Sequence, residues 1–314
     1  MFSKILVPLD GTAESNIALP PARALARATG APITLLRVVP RPYTLAERTA
    51  FDETAQALNR VAAELASGGV EVEALVQGGD VVDEILQACR EQAADLVVMR
   101  THGRAGVSRA VLGSVTQRVV AECGVPVMLL RPGGRRITHL RKLLVPIDGS
   151  PGGAVALGTA VGLVKAAGAT MHLLEVAVQI SASVYAGEIY GGMGYIDPAW
   201  DADILERARA YVEAMVKRLR ISGFAVDGEA RQATNVADTI VGVAAEVESD
   251  LIVMSTQALT GPARALLGSV ADAVVRRAHC PVLLVHRDAA APAARPAAPE
   301  ESGQVAPEVA ATAG

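Results

Sequence analysis

The stretch Ile5-Leu6-Val7-Pro8-Leu9-Asp10-Gly11-Thr12 returns later in the chain as Leu143-Leu144-Val145-Pro146-Ile147-Asp148-Gly149-Ser150. Each copy is a short apolar run that ends on Asp-Gly and a hydroxyl residue, the pattern of a buried strand entering a turn. Two further motifs repeat in the same order. Asp95-Leu96-Val97-Val98-Met99 matches Asp250-Leu251-Ile252-Val253-Met254, and Leu112-Gly113-Ser114-Val115 matches Leu267-Gly268-Ser269-Val270. The apolar runs at 126–130 and 281–285 close the two copies at the same distance. Repetition on this scale describes a fused pair of like domains.

Between the motifs, short β-branched runs alternate with longer helical patterns. The first copy predicts strands at 5–9, 32–38, 70–76, 95–99 and 126–130, and helices near 13–29, 44–67, 80–93 and 114–123. Strands separated by helical crossovers pair in parallel, and right-handed crossovers put helices on both faces. The expected fold is α/β: two tandem doubly wound domains, each a five-stranded parallel sheet in the order 3-2-1-4-5. Domain 1 spans 1–132, a basic linker 133–140, and domain 2 141–288, while the Ala-, Pro- and Glu-rich tail 289–314 reads as disordered. Register between the copies lengthens after the second strand, so the Gly- and Tyr-containing stretch 178–200 is an insertion, read as a loop or lid. One local conflict is Pro20-Pro21 inside the first predicted helix, which must start late or kink there.

Composition narrows the function classes. Hydrophobic residues make up 51% of the 314 but aromatics only 3%, so the cores are aliphatic, as buried parallel strands require. A net charge of −4 argues against nucleic acid, whose binding needs a clustered basic surface. The three cysteines, Cys89, Cys123 and Cys280, are scattered without a Cys-x-x-Cys pair and read as reduced, buried packing residues of a cytoplasmic protein. The histidines 139, 172, 279 and 286 share no ligand spacing, so no metal site is expected. The apolar region 154–180 is interrupted by Lys165, His172 and Glu175, and reads as helix, turn and strand with no membrane span. The apolar start is too short for a secretory signal, so the chain is expected to stay inside the cell.

The chemistry concentrates between the fourth strand and fourth helix, at Thr101-His102-Gly103-Arg104-Ala105-Gly106 and Gly113-Ser114-Val115-Thr116. Glycines let backbone amides approach an anion, and the first N–H groups of a helix favour negative charge, so this segment suits a phosphate. The hydroxyl of Ser114 or Thr116 could add a donor. The alternative is a turn with a simple helix cap. Asp10, at the end of the first strand, suits a base or ribose hydroxyl, or else only stabilises its own turn.

Taken in order, the Val-Pro-x-Asp-Gly-[Ser/Thr] start, the Gly79-Asp80-Val81-Val82-Asp83-Glu84-Ile85 helix entry, the Asp-Leu-Val-Val-Met strand, the Thr-His-Gly-Arg loop and the Gly-Ser-Val helix start resemble a tandem universal stress protein over about residues 3–132 and 141–287. The resemblance implies that Pro8, Asp10, Val38 and Met99 frame an adenine and ribose, and that Gly103, Arg104, Gly113, Ser114, Val115 and Thr116 hold phosphates, with His102 a further loop contact. ATP-binding members carry Gly, two residues, Gly, nine residues, then Gly and Ser or Thr. Here Arg100 stands at the first glycine, either obstructing the pocket or reaching a phosphate. In domain 2 Ser255 and Ala258 replace both loop glycines and Gln257 replaces the histidine, so Pro146, Asp148, Val176, Met254, Gly268, Ser269 and Val270 form a weaker site.

The resemblance thus implies a stress-response protein that binds ATP, with or without Mg2+, chiefly in domain 1. It also implies regulation through unidentified protein partners, pairing of the domains through their last strands, and a homodimer. The rivals are a scaffold that binds no nucleotide and a very slow ATPase. No catalytic residue is assigned and no robust enzyme is expected, since neither a G-x-x-x-x-G-K-[ST] loop nor an evident general base is present.

Overall fold

The computed structural model describes residues 1–42, 44–101, 112–179, 198–256 and 267–286. The first half runs β1 (Ile5–Pro8), α1 (Leu19–Thr29), β2 (Ile33–Val39), α2 (Leu45–Ala66), β3 (Val72–Gly78), α3 (Val81–Glu91), β4 (Leu96–Arg100), α4 (Ser114–Glu122) and β5 (Val127–Leu130). The second half repeats it as β6 (Lys142–Pro146), α5 (Pro151–Ala167), β7 (Thr170–Val178), α6 (Pro198–Ile221), β8 (Val226–Ala233), α7 (Val236–Glu246), β9 (Leu251–Thr256), α8 (Ser269–Arg277) and β10 (Val282–His286). Residues 198–200 of the expected insertion begin α6; 180–197, and the expected disordered tail 289–314, lie outside the described residues.

Each half has the strand order 3-2-1-4-5, but the two do not form separate five-stranded sheets. They make one ten-stranded sheet, β3-β2-β1-β4-β5-β10-β9-β6-β7-β8. All pairs are parallel except the junction, where β5 and β10 run antiparallel with Met128 opposite Leu283. The cause lies in those two strands. Val127-Met128-Leu129-Leu130 and Val282-Leu283-Leu284-Val285 are wholly buried, and an apolar edge with unpaired backbone groups is stable only when another strand covers it. The central strands are apolar on both faces, with Ile5, Leu6, Val7, Leu96, Val97 and Val98 inaccessible to solvent, because helices cover both sides.

The proline conflict resolves by a late start. A 3-10 turn at Ser15–Ala18 precedes α1, whose first turn takes Pro20 and Pro21, where amide hydrogens have no intrahelical partner. Thr44 and Glu47 cap α2 reciprocally, and the Asp80 side chain accepts from Val82 and Asp83 to open α3. A Cβ at Gly79 would lie 2.1 Å from Oε1 of the folded-back Glu84 side chain, so any larger residue there displaces that side chain.

Repeated aspartates fasten each half's first strand. The Asp95 carboxylate accepts from the amides of Ser3 and Lys4 and the Ser3 hydroxyl, and Asp250 accepts from the amides of Arg141 and Lys142. The connecting residues are packed against the second half. Arg135 donates its amide to the His279 carbonyl and pairs with Asp250 at 3.2 Å, while Ile137 and Leu140 are buried. No described helix is long and apolar enough to cross a membrane.

Candidate functional site

The carboxyl ends of β1, β2 and β4 meet the start of α4 at the point where strand order reverses, the crevice in which doubly wound sheets take ligands. Asp10 stands just beyond β1. Its carboxylate accepts from the Thr12 amide at 2.9 Å and the Thr12 hydroxyl at 2.6 Å, and the Arg100 guanidinium lies 3.6 Å away. Burial works to raise the Asp10 carboxyl, but the bonds from Thr12 and Ser15 and the Arg100 charge together hold it below its ordinary value. Asp10 is therefore ionised at neutral pH and braced by its own turn.

Arg100 is the main departure from the expected pattern. Its side chain is only 8% exposed and ion-pairs both Asp10 and Glu14, the latter at 3.3 Å. A second arginine, which the sequence reading passed over, enters the same region. Arg37, one residue before Val38 on β2, donates to the Leu9 carbonyl at 3.2 Å. Its guanidinium lies so close to Gly11 that a Cβ there would fall 2.6 Å from Nη1. Gly11 also has φ +76°, so the turn after β1 favours glycine by its conformation, and a side chain there would push the Arg37 guanidinium aside. The signal was a lone charge in the run Ile33–Val39, whose other residues are apolar apart from Thr34.

Gly113 is the N-cap of α4 and offers no capping side chain, and the first turn carries no acidic residue. Its amide donates to the Thr101 carbonyl. Ser114 is exposed, and Val115 is half-buried. Thr116 does not have the free hydroxyl expected of it: it is buried and donates to the carbonyls of Arg100 and Thr101, each at 3.1 Å. It fastens α4 to the end of β4. Pro8 and Val38 are half-buried at the strand ends and Met99 lies beneath them, buried. Gln77, paired in register with Val38, has a side-chain carbonyl that is buried with no partner among the described residues. His102, Gly103 and Arg104 lie outside the described residues.

The second half keeps the frame and lacks both arginines. Pro146, Asp148, Val176 and Met254 occupy the corresponding strand ends, and Gly268 again caps a helix, α8, that begins Ser269-Val270. The counterparts of Arg37 and Arg100 are Glu175 and Ser255. Burial first, and the Asp148 charge second, push the Glu175 carboxyl up to about 6. Unlike α4, α8 carries an acid in its first turn, Asp272, which already answers the helix dipole. Among the described residues no group of three or more possible ligands gathers to hold a metal. A largely apolar cavity of about 730 Å³ lies elsewhere, between Phe2, Val125 and the Gly158–Gly162 face of α5.

Comparison with known proteins agrees with this fold. The universal stress protein family model matches residues 1–131 and again 139–286. A universal stress protein of Thermus aquaticus is 38% identical over 137 residues, covering 42% of this chain and all of the relative. One from Methanocaldococcus jannaschii is 30% identical over 154 residues, covering 47% of this chain and 82% of the relative. The crystal structure of a universal stress protein from Archaeoglobus fulgidus superposes over 90% of this chain and 98% of its own, with a TM-score of 0.67 and 22% identity, a likeness of fold. The chain is a member of the universal stress protein family, carrying two copies of its domain in tandem.

Proposed function

We propose that this protein is a stress-response module that binds an adenine nucleotide, ATP in the first instance, in the first-half crevice alone. The observation that carries this reading is the charge contrast between the two copies. The first places Arg37 and Arg100 opposite Asp10 and Glu14, beside an uncapped, acid-free helix start; the second keeps Asp148 but has Glu175 and Ser255 where the two arginines stand. A phosphate would find two guanidinium groups to pair with in the first crevice, and a carboxyl and a hydroxyl at the same positions in the second.

The residues suit the parts of a nucleotide. Amides of Ser114 and Val115 would meet phosphate oxygens, with Arg100 exchanging Glu14 for phosphate, a better bidentate partner. Asp10 would accept from ribose hydroxyls, over Pro8, Val38 and Met99. The orphaned Gln77 carbonyl would accept from the exocyclic amine of adenine. His102, Gly103 and Arg104 would complete the phosphate loop. Occupancy would be read out by protein partners, not by turnover.

The test is calorimetric titration with ATP of the wild type, Gly113→Val and Gly268→Val, with mass spectrometry of nucleotide released on denaturation. One nucleotide per chain, lost in Gly113→Val and kept in Gly268→Val, is the expected result. Two per chain would overturn the restriction to the first half. No heat at millimolar ATP would favour the scaffold reading, in which the Asp10–Arg100–Glu14 cluster plugs the crevice.

A further inference from the structure

Cys89 and Cys123 are 34 positions apart in sequence, yet their sulfurs lie 3.4 Å from each other. Cys89 sits in the last turn of α3, and Cys123 is the residue that ends α4. The two helices are also tied near their starts, where Arg118 of α4 lies 3.5 Å from Asp83 and 3.9 Å from Asp80. Cys280 is far from this pair; its neighbour is the Ser249 hydroxyl at 3.7 Å. We propose that Cys89 and Cys123 form a peroxide-sensitive dithiol that closes reversibly to an intramolecular disulfide, locking α3 to α4.

Closure needs the sulfurs, now 3.4 Å apart, to approach to about 2.05 Å. Position favours it. Cys123 is at a helix end, half-buried, and is followed by Gly124 at φ +69°, so its backbone is not locked within a helix. Cys89 is buried behind it and, as a thiol, donates to the Ala94 carbonyl at 3.6 Å.

The pair also divides the protons usefully. The hydrogen bond from Cys123 lowers the Cys89 thiol, against burial, with Arg90 aiding and Asp95 opposing. The same bond and burial raise Cys123. Cys89 is thus the thiolate-forming member and Cys123 keeps its proton.

With hydrogen peroxide as oxidant, the Cys89 thiolate attacks the O–O bond, giving a sulfenic acid and releasing hydroxide, which takes up a proton as water. The Cys123 sulfur then displaces hydroxide from the sulfenic sulfur, and its proton leaves with that hydroxide as a second water. The two thiols lose two electrons in total and the peroxide gains them. A dithiol reductant reverses the closure by thiol–disulfide exchange. The lock joins α3 to the helix whose N-terminus edges the crevice, but the inference does not rest on any ligand binding there.

The test treats the full chain with graded hydrogen peroxide, alkylates it in denaturant, and maps its peptides by mass spectrometry. The expected result is loss of two hydrogen masses, one remaining alkylated cysteine, Cys280, and a cross-linked peptide joining Cys89 to Cys123. Dithiothreitol should restore all three thiols. Cys280→Ser should form the same link, and Cys123→Ser should form none and stop at a sulfenic acid on Cys89. Three alkylated cysteines at peroxide doses that fully oxidise glutathione would overturn the proposal. So would a link through Cys280, or oxidation of Cys123 to sulfinic acid without a link.

Discussion

The Arg100 guanidinium sits 3.6 Å from the Asp10 carboxylate and 3.3 Å from that of Glu14, so the residue that breaks the family's glycine pattern is also the one that balances the crevice's charge. Replacing it by Ala leaves Asp10 and Glu14 without their shared cation. If Arg100 exchanges Glu14 for phosphate when ATP binds, Arg100→Ala should weaken ATP binding by about tenfold, or roughly 1.4 kcal/mol. Arg100→Lys should recover only part of that, because a point charge cannot grip two oxygens at once. Calorimetric titration measures both. Tighter binding in Arg100→Ala would instead identify the side chain as an obstruction.

The two repeated aspartates should differ in stability. Asp250 is 4% exposed and serves the amides of Arg141 and Lys142 as well as Arg135. Removing it strands two amides and takes from the Arg135 guanidinium its carboxylate, leaving it the Glu248 carbonyl, which should cost about 2–4 kcal/mol. The bonds from Ser3 and its hydroxyl to Asp95 are more exposed, and Asp95→Ala should cost about 1 kcal/mol. Urea denaturation of the two variants gives the comparison.

Local rules made the halves legible in the sequence. Pro8-Leu9-Asp10-Gly11 and its repeat announce a strand and a turn, and the alternation of apolar runs with helical segments imposes parallel pairing and the crevice's place. The joining of β5 to β10 was expected through the family resemblance and is present, although nothing local in either strand says that the two edges meet. What escaped were relationships set by tertiary packing. Arg37 went unread because its target, the Leu9 carbonyl, lies at the end of another strand. The Thr116 hydroxyl looked free because the carbonyls it bonds belong to β4 and the residue after it. Cys89 and Cys123 lacked any motif because α3 and α4 bring them together only at their ends.

Glu175 should make the second half sensitive to pH. Burial and the Asp148 charge raise its folded value to about 6, so the protonated carboxyl is the form the fold prefers. Its contribution is present in full below the unfolded value near 4.5 and is lost as pH rises to about 6. Glu175→Gln mimics the protonated form. After allowance for solvent screening it should stabilise the protein by about 1 kcal/mol at pH 7.5 and leave it unchanged at pH 4. Thermal melts at both pH values decide it: an equal effect at the two would mean that Glu175 does not titrate in this window.

Two kinds of glycine in the second half should respond oppositely to the same methyl group. Gly158 and Gly162 lie within α5, and a Cβ at either would meet nothing within 4 Å. Glycine inside a helix costs about 1 kcal/mol relative to alanine, through backbone entropy alone. Gly158→Ala and Gly162→Ala should therefore each stabilise by about that much. Gly228 on β8 is different: its Cβ would lie 2.9 Å from both the Leu173 carbonyl oxygen and a Val212 methyl on α6. The Leu173 carbonyl is β7 backbone and cannot yield as a flexible side chain would, so β8 must shift against β7 as well as against α6. Gly228→Ala should destabilise by about 1–3 kcal/mol. Chemical denaturation of the three single variants measures the contrast, and a stabilising Gly228→Ala would show that the α6 packing against β7 and β8 is looser than these contacts require.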